Sequence, residues 1–155
     1  MRRKVNYKRD RKPDAKYGSV VINRFTNYLM RDGKKSTAEK ILRDTFEIIN
    51  KQAKQDPVKL FEKAMENAAP AVETATRRVG GANYQVPVEV RPDRKFVLAA
   101  RWLILAARTK KGKPMAAKLA EEIIAASKNE GAAIKKKLDM HRMAEANRAF
   151  AHFSW

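Results

Sequence analysis

Cysteine is absent from the chain, which excludes disulfides, thiolate metal sites and a cysteine nucleophile. There is no run of ~18 apolar residues of the kind a membrane-spanning helix needs. The N-terminus is basic with no apolar stretch behind it, so no export signal is read there and a cytoplasmic location is expected. Histidine is scarce. His141 and His152 stand eleven positions apart with no clustered carboxylates around them, which is a poor pattern for a metal site, and both read as donors or packing groups. Ser19, Ser36 and Ser127 read as helix caps or helix ends. Gly80-Gly81 lacks the glycine spacing and the lysine of a phosphate-binding loop. No catalytic set, metal site or cofactor motif emerges, and an enzyme is not expected. Acidic charge is also short. Against 35 Lys and Arg there are 17 Asp and Glu, leaving a formal net charge of +18. So much positive charge is self-repulsive, and a polyanion relieves it. An anionic membrane surface is the weaker match, because it calls for a strongly amphipathic or lipidated segment.

What the chain does have is enough to fold. It is 155 residues long and 44% hydrophobic, which suits one domain with a real core. No internal repeat and no linker divides it. Helical spacing recurs in six stretches. Ile22, Phe25 and Leu29 follow an N-cap at Ser19, with Gly33 as the expected stop. Ser36 and Glu39 read as a capping box before Ala38, Ile41, Leu42, Thr45, Ile49 and Ala53. Asp56-Pro57 caps a third helix with Leu60, Phe61, Ala64, Met65 and Ala68 inside, ended by Pro70. The fourth runs from Arg94 to about residue 111. The fifth opens at Lys113-Pro114, places Glu121 and Glu122 outside its buried face, and is ended by Gly131. The sixth starts near Ala132, with Lys135, Lys136 and Lys137 crowded where the helix dipole disfavours cations. The expected fold is mainly α: about six helices, with one protruding β-hairpin between the third and the fourth.

The hairpin reads from period-two alternation. Val72, Thr74 and Thr76 share one parity; Tyr84, Val86, Val88 and Val90 share another. Gly80-Gly81-Ala82-Asn83 lies between them, where positive φ is tolerated. Pro87 demands an edge or a bulge. Residues 72–90 thus form a ribbon whose tip carries Arg77, Arg78 and Tyr84. Residues 1–16, rich in Lys and Arg, read as a flexible arm that orders on a phosphate backbone. Arg94, Arg101 and Arg108 are spaced by seven, so they share a helix face, and no Asp or Glu follows Asp93 in that helix to pair them. Trp102 lies off the main apolar stripe and fits either base stacking or packing. The tail from Ala149 to Trp155 has three aromatics that suit docking on the body or on a partner.

Three stretches carry a family resemblance. Met30-Arg31-Asp32-Gly33-Lys34-Lys35-Ser36 with Ala38-Glu39-Lys40-Ile41 is one. The hairpin from Arg77 to Val90 is the second. The ending His141-Arg142-Met143-Ala144-Glu145-Ala146-Asn147-Arg148-Ala149-Phe150-Ala151-His152-Phe153 is the third. Together they resemble the small-subunit ribosomal protein seven family, the universal uS-seven family, in its bacterial branch, and the likeness runs the length of the chain. The resemblance implies a structural constituent of the small ribosomal subunit, in the cytoplasm. It implies primary binding to the 3′ major domain of 16S rRNA, nucleation of the subunit head, and contact with E-site tRNA and mRNA and with neighbouring head and platform proteins, without homo-oligomer formation. Carried onto this chain, rRNA contacts fall on Arg2, Arg3, Lys4, Lys34, Lys35, Arg77, Arg78, Arg94, Arg101, Arg108, Lys110 and Lys113. The exit-site surface falls on Gly80, Gly81, Ala82, Asn83, Tyr84, His141 and Arg142. The chain departs from the family pattern at Ser154, where a basic residue is expected, and at Leu103-Ile104-Leu105-Ala106, where polar character is expected. Two other functions fit the same residues: repression of translation through the protein's own message, and, less well, architectural DNA binding.

Overall fold

Apolar residues recurring every three or four positions give amphipathic stripes, and each stripe forms an α-helix with that face inward. The computed structural model describes residues 12–153. Most of the expected arm, including Arg2, Arg3 and Lys4, and the end residues Ser154 and Trp155 lie outside the described residues. The helices are α1 (Val20–Leu29), α2 (Lys35–Ala53), α3 (Pro57–Ala68), α4 (Pro92–Thr109), α5 (Met115–Ser127) and α6 (Ala132–Ala146). Strands β1 (Val72–Val79) and β2 (Ala82–Glu89) form an antiparallel ribbon between α3 and α4, and a short 3-10 helix (Arg148–Phe153) follows α6. The mainly helical fold with a single hairpin is the one expected.

Helix α5 is the centre of the bundle and packs against α2, α3 and α4. Its inward residues Leu119, Ala120, Ile123 and Ala126 are fully buried, as are Ala99, Ala100, Leu103 and Ala107 of α4. Small side chains on both helices let the backbones approach closely. The bulk of the core is aromatic: Phe25 and Phe61 meet edge to face at 5.0 Å between ring centres, and Phe46 lies 5.8 Å from Phe61. Each such ring contributes about 1.5–3 kcal/mol by burial. Trp102 is half-buried against this core, so it packs. Of the apolar run at 103–106, Leu103, Ile104 and Ala106 are buried, and Leu105 is 45% exposed.

Several local expectations need correction. Helix α1 ends at Leu29, four residues before Gly33. Ser19 is the N-cap residue, but its side chain makes no capping bond. The capping box at Ser36 does not form. The chain turns through Asp32 (φ 51°) and Gly33 (φ 72°), so α2 starts at Lys35 behind Lys34. Glu39 then lies 3.9 Å from Lys35 Nζ instead of capping the helix. Asp56 does cap α3, accepting from Val58 N at 3.0 Å, with Pro57 at the first position. Gly131 does not end α5; it precedes α6 as the N-cap residue with φ 98°.

The ribbon turns through Gly80 (φ 57°) and Gly81 (φ 90°) alone, a two-residue turn with both residues in the left-handed region. The register sets Arg77 opposite Tyr84, Ala75 opposite Val86 and Glu73 opposite Val88. Directly opposed residues share a face, so the parity of Tyr84, Val86 and Val88 is completed by Glu73, Ala75 and Arg77. Val72, Thr74 and Thr76 lie on the other face, where Gln85 Nε2 donates to Thr76 Oγ1 at 3.0 Å. In a two-stranded ribbon every strand is an edge, which is how Pro87 is accommodated.

Candidate nucleic-acid interface

The turn after α1 and the C-terminal half of α4 build a basic groove. One cleft of about 290 Å³ is lined by Arg31, Lys34 and Arg108, with Leu29, Ile41 and Met115 among its apolar walls. A neighbouring cleft of about 440 Å³ is lined by Asn27, Tyr28, Arg101, Ile104, Leu105 and Arg108. Arg108 belongs to both, and no carboxylate lines either. Arg108 donates to the Leu29 carbonyl at 3.1 Å, satisfying an end carbonyl of α1. Burial, and then the charge of Arg31, push the Arg108 pKa down. Arg101 is exposed and, among the described residues, has no ion pair.

Arg31 was missed by the sequence reading. Its signal was its place in the run Arg31-Asp32-Gly33-Lys34-Lys35. Its approach to Arg108, however, depends on a left-handed turn that composition does not reveal. Of the two lysines expected there, Lys34 lines the cleft, whereas Lys35 reaches back to Asn23 Oδ1 at 3.2 Å and toward Glu39.

The arginine stripe of α4 is a single row by position but not by environment. Arg94 Nε bonds Glu73 Oε2 of β1 at 3.2 Å, so a partner is present that the local sequence does not show. Asp93 is reached by Arg24 at 3.1 Å, and the Arg24 guanidinium lies 4.1 Å from the Phe96 ring centre.

The α4–α5 turn has a different character. Lys110 Nζ lies 3.0 Å from Glu122 Oε2 and 3.9 Å from Glu121 Oε2. Lys113 is hydrogen-bonded to Glu121 Oε1, and that bond holds the Glu121 carboxyl below its usual value. Glu122, expected outside the buried face, is only 1% exposed. Its second oxygen accepts from Ala133 N at 3.0 Å, at the start of α6. A carboxylate at that N-terminus offsets the dipole that Lys135 and Lys136 oppose. Glycine suits position 131, where φ is 98° and a Cβ would fall 2.8 Å from Glu122 Oε1. Lys137 instead donates to the Asn67 carbonyl at 2.8 Å.

The hairpin is held at both ends. At the root, His141 Nε2 accepts from Ala71 N at 3.1 Å. Burial, and then Lys137, lower the His141 pKa from the ordinary 6.5, which keeps that nitrogen free to accept. Near the tip, the Tyr84 ring lies 5.1 Å from Phe150 and 5.5 Å from Phe153. Phe150 and Phe153 therefore dock on the ribbon. His141 and Tyr84, grouped by the resemblance, sit at opposite ends of it. Arg142 is exposed, with Asp139 at 3.6 Å. Arg77, Arg78, Gly80, Gly81, Ala82 and Asn83 are all exposed at the outer end.

Among the described residues there is no group of three or more His, Cys, Asp or Glu placed to hold a metal ion, and no helix long and apolar enough to cross a membrane. Residues 1–148 match the family model described as ribosomal protein S7p/S5e. A protein of Thermotoga maritima called small ribosomal subunit protein uS7 is 55% identical over 155 residues, all of both chains. One of the same name from Xanthobacter autotrophicus is 56% identical over 143 residues, 92% of each.

Proposed function

The chain belongs to the ribosomal protein S7p/S5e family, and from that premise we propose how its surfaces serve the small ribosomal subunit. As a member it is a structural, non-enzymatic component of that subunit, which in bacteria is cytoplasmic. It binds ribosomal RNA and other ribosomal proteins. The finer reading is that it is a primary binder of the 3′ major domain of 16S rRNA and nucleates the subunit head.

The observation that carries this reading is the acid-free groove. Arg31, Lys34, Arg101 and Arg108 converge there on two adjoining clefts with no carboxylate. Helix α4 fixes the spacing of Arg101 and Arg108, and the turn after α1 sets Arg31 and Lys34 beside them, so several phosphates are neutralised together and the released counterions drive binding. Guanidinium groups suit phosphate oxygens by their forked donors. Tyr28 and Leu105 add an apolar wall beside Arg101, which suits the face of an unpaired base.

The test is competition between a 3′ major domain RNA fragment and duplex DNA of equal length at physiological salt. The RNA should win by a wide margin; equal affinities would remove the RNA reading and favour an architectural DNA binder. Arg101→Ala should lower the slope of log affinity against log salt by about one.

At the outer end of the ribbon, residues 80–83 belong to the surface proposed to meet E-site tRNA and mRNA, with Arg77 and Arg78 beside them proposed as rRNA contacts. The support is their exposure while the ribbon is pinned at root and flank. Removing Gly80 to Asn83 should leave rRNA affinity within about twofold and disturb tRNA handling in assembled subunits. Unchanged frame maintenance and initiation would contradict it.

A further inference from the structure

The α4–α5 turn contains three lysines, of which the family resemblance carries Lys110 and Lys113 to rRNA and leaves out Lys111. We propose that Lys111 alone is the phosphate ligand of this turn, and that Glu121 and Glu122 withdraw Lys110 and Lys113 from RNA. This assignment rests on the rRNA-binding reading above and divides its contacts more finely.

The withdrawal follows from where the four charges sit. Lys110 bridges both carboxylates and Lys113 is bonded to Glu121, so two cations and two anions cancel within one cluster. Glu122 is buried, with one oxygen on Ala133 N and the other on Lys110. Drawing Lys110 out to a phosphate would strand a buried carboxylate, which proteins tolerate poorly. A phosphate approaching Lys113 meets the half-exposed Glu121 carboxylate, a like charge at close range.

Lys111 is differently placed. It is exposed and, among the described residues, has no ion pair or hydrogen-bonded side-chain partner. Its neighbours on both sides are anchored, Lys110 by Glu122 and Lys113 by Glu121. Gly112 takes φ 81° between them, a conformation that favours glycine. The backbone of the turn is therefore fixed before any ligand arrives. Only the Lys111 side chain remains to be ordered, which reduces the entropic cost of using it.

The experiment measures the salt slope of binding to the 3′ major domain RNA fragment, with the full chain throughout. Lys111→Ala should lower the slope by about one, and Lys113→Met, a change at an exposed position, should leave it unaltered. Glu121→Gln, which releases Lys113, should raise it. No loss in Lys111→Ala, an equal loss in Lys113→Met, or no rise in Glu121→Gln overturns the assignment. A wild-type slope near zero removes the RNA reading itself and the assignment with it. A steep wild-type slope indifferent to Lys111 removes the assignment alone.

Discussion

Two basic stretches that read alike along the chain, Arg31 to Lys35 and Lys110 to Lys113, reach opposite electrostatic states. In the first, Arg31 and Lys34 join Arg108 around clefts with no carboxylate, and only Lys35 turns to an acid. In the second, α5 brings Glu121 and Glu122 underneath, and two of three lysines are neutralised. A net charge of +18 counts cations; the field at the surface depends on which carboxylates fold beside them. The first stretch holds repulsion that no carboxylate lining its clefts relieves. The second uses its charge to join α4 to α6.

The sharpest way to break this contrast is Lys110→Ala. It leaves Glu122 buried without its cation and should cost ~3 kcal/mol of stability, read by urea unfolding. Lys34→Ala, in the acid-free cleft, should stay within about 0.5 kcal/mol of wild type. Equal costs would show that the two stretches are not distinct. A smaller effect of opposite sign is expected at Arg31. Removing a cation that repels Arg108 should stabilise the free protein by roughly 0.2–1 kcal/mol while weakening RNA binding and its salt dependence. Destabilisation in Arg31→Ala would mean that its charge is compensated after all.

The smallest effect lies at the hairpin root, outside both stretches. The folded chain disfavours protonation of His141, so the unfolded chain binds that proton more readily. The stability this residue provides is complete above its ordinary pKa of 6.5 and is lost as pH falls through its lowered folded value. Hydrogen exchange at the Ala71 amide should accelerate over that range in wild type and be insensitive to pH, beyond the intrinsic rate, in His141→Gln. A flat wild-type profile would mean the ring does not hold the root.

The helices and the hairpin were legible because their signals are local. Apolar spacing placed all six helices, and period two with paired glycines placed the ribbon. What remained illegible depends on distance in sequence. Glu73 pairs with Arg94 across the whole hairpin. Glu122 reads as exposed by helical position, yet it is buried because the start of α6 folds over it. Ser36 and Glu39 fit a capping box, but the left-handed residues before them start the helix early. The basic side chains stand out in the sequence as a class. Their division into paired and unpaired groups needed the carboxylates in place, so Arg94, Lys110 and Lys113 could not be told from Arg101 or Lys111 by spacing.

The packing of Tyr84 against Phe150 and Phe153 has a consequence for synthesis. The outer support of the ribbon is contributed by Phe150 and Phe153, which follow it far downstream in the sequence. His141, which holds the root, also follows the ribbon in sequence. A nascent chain therefore emerges with strands that can pair and turn but have nothing to rest on. In synthesis the ribbon therefore precedes both of its supports, and these contacts can form only once α6 and Phe153 have been made.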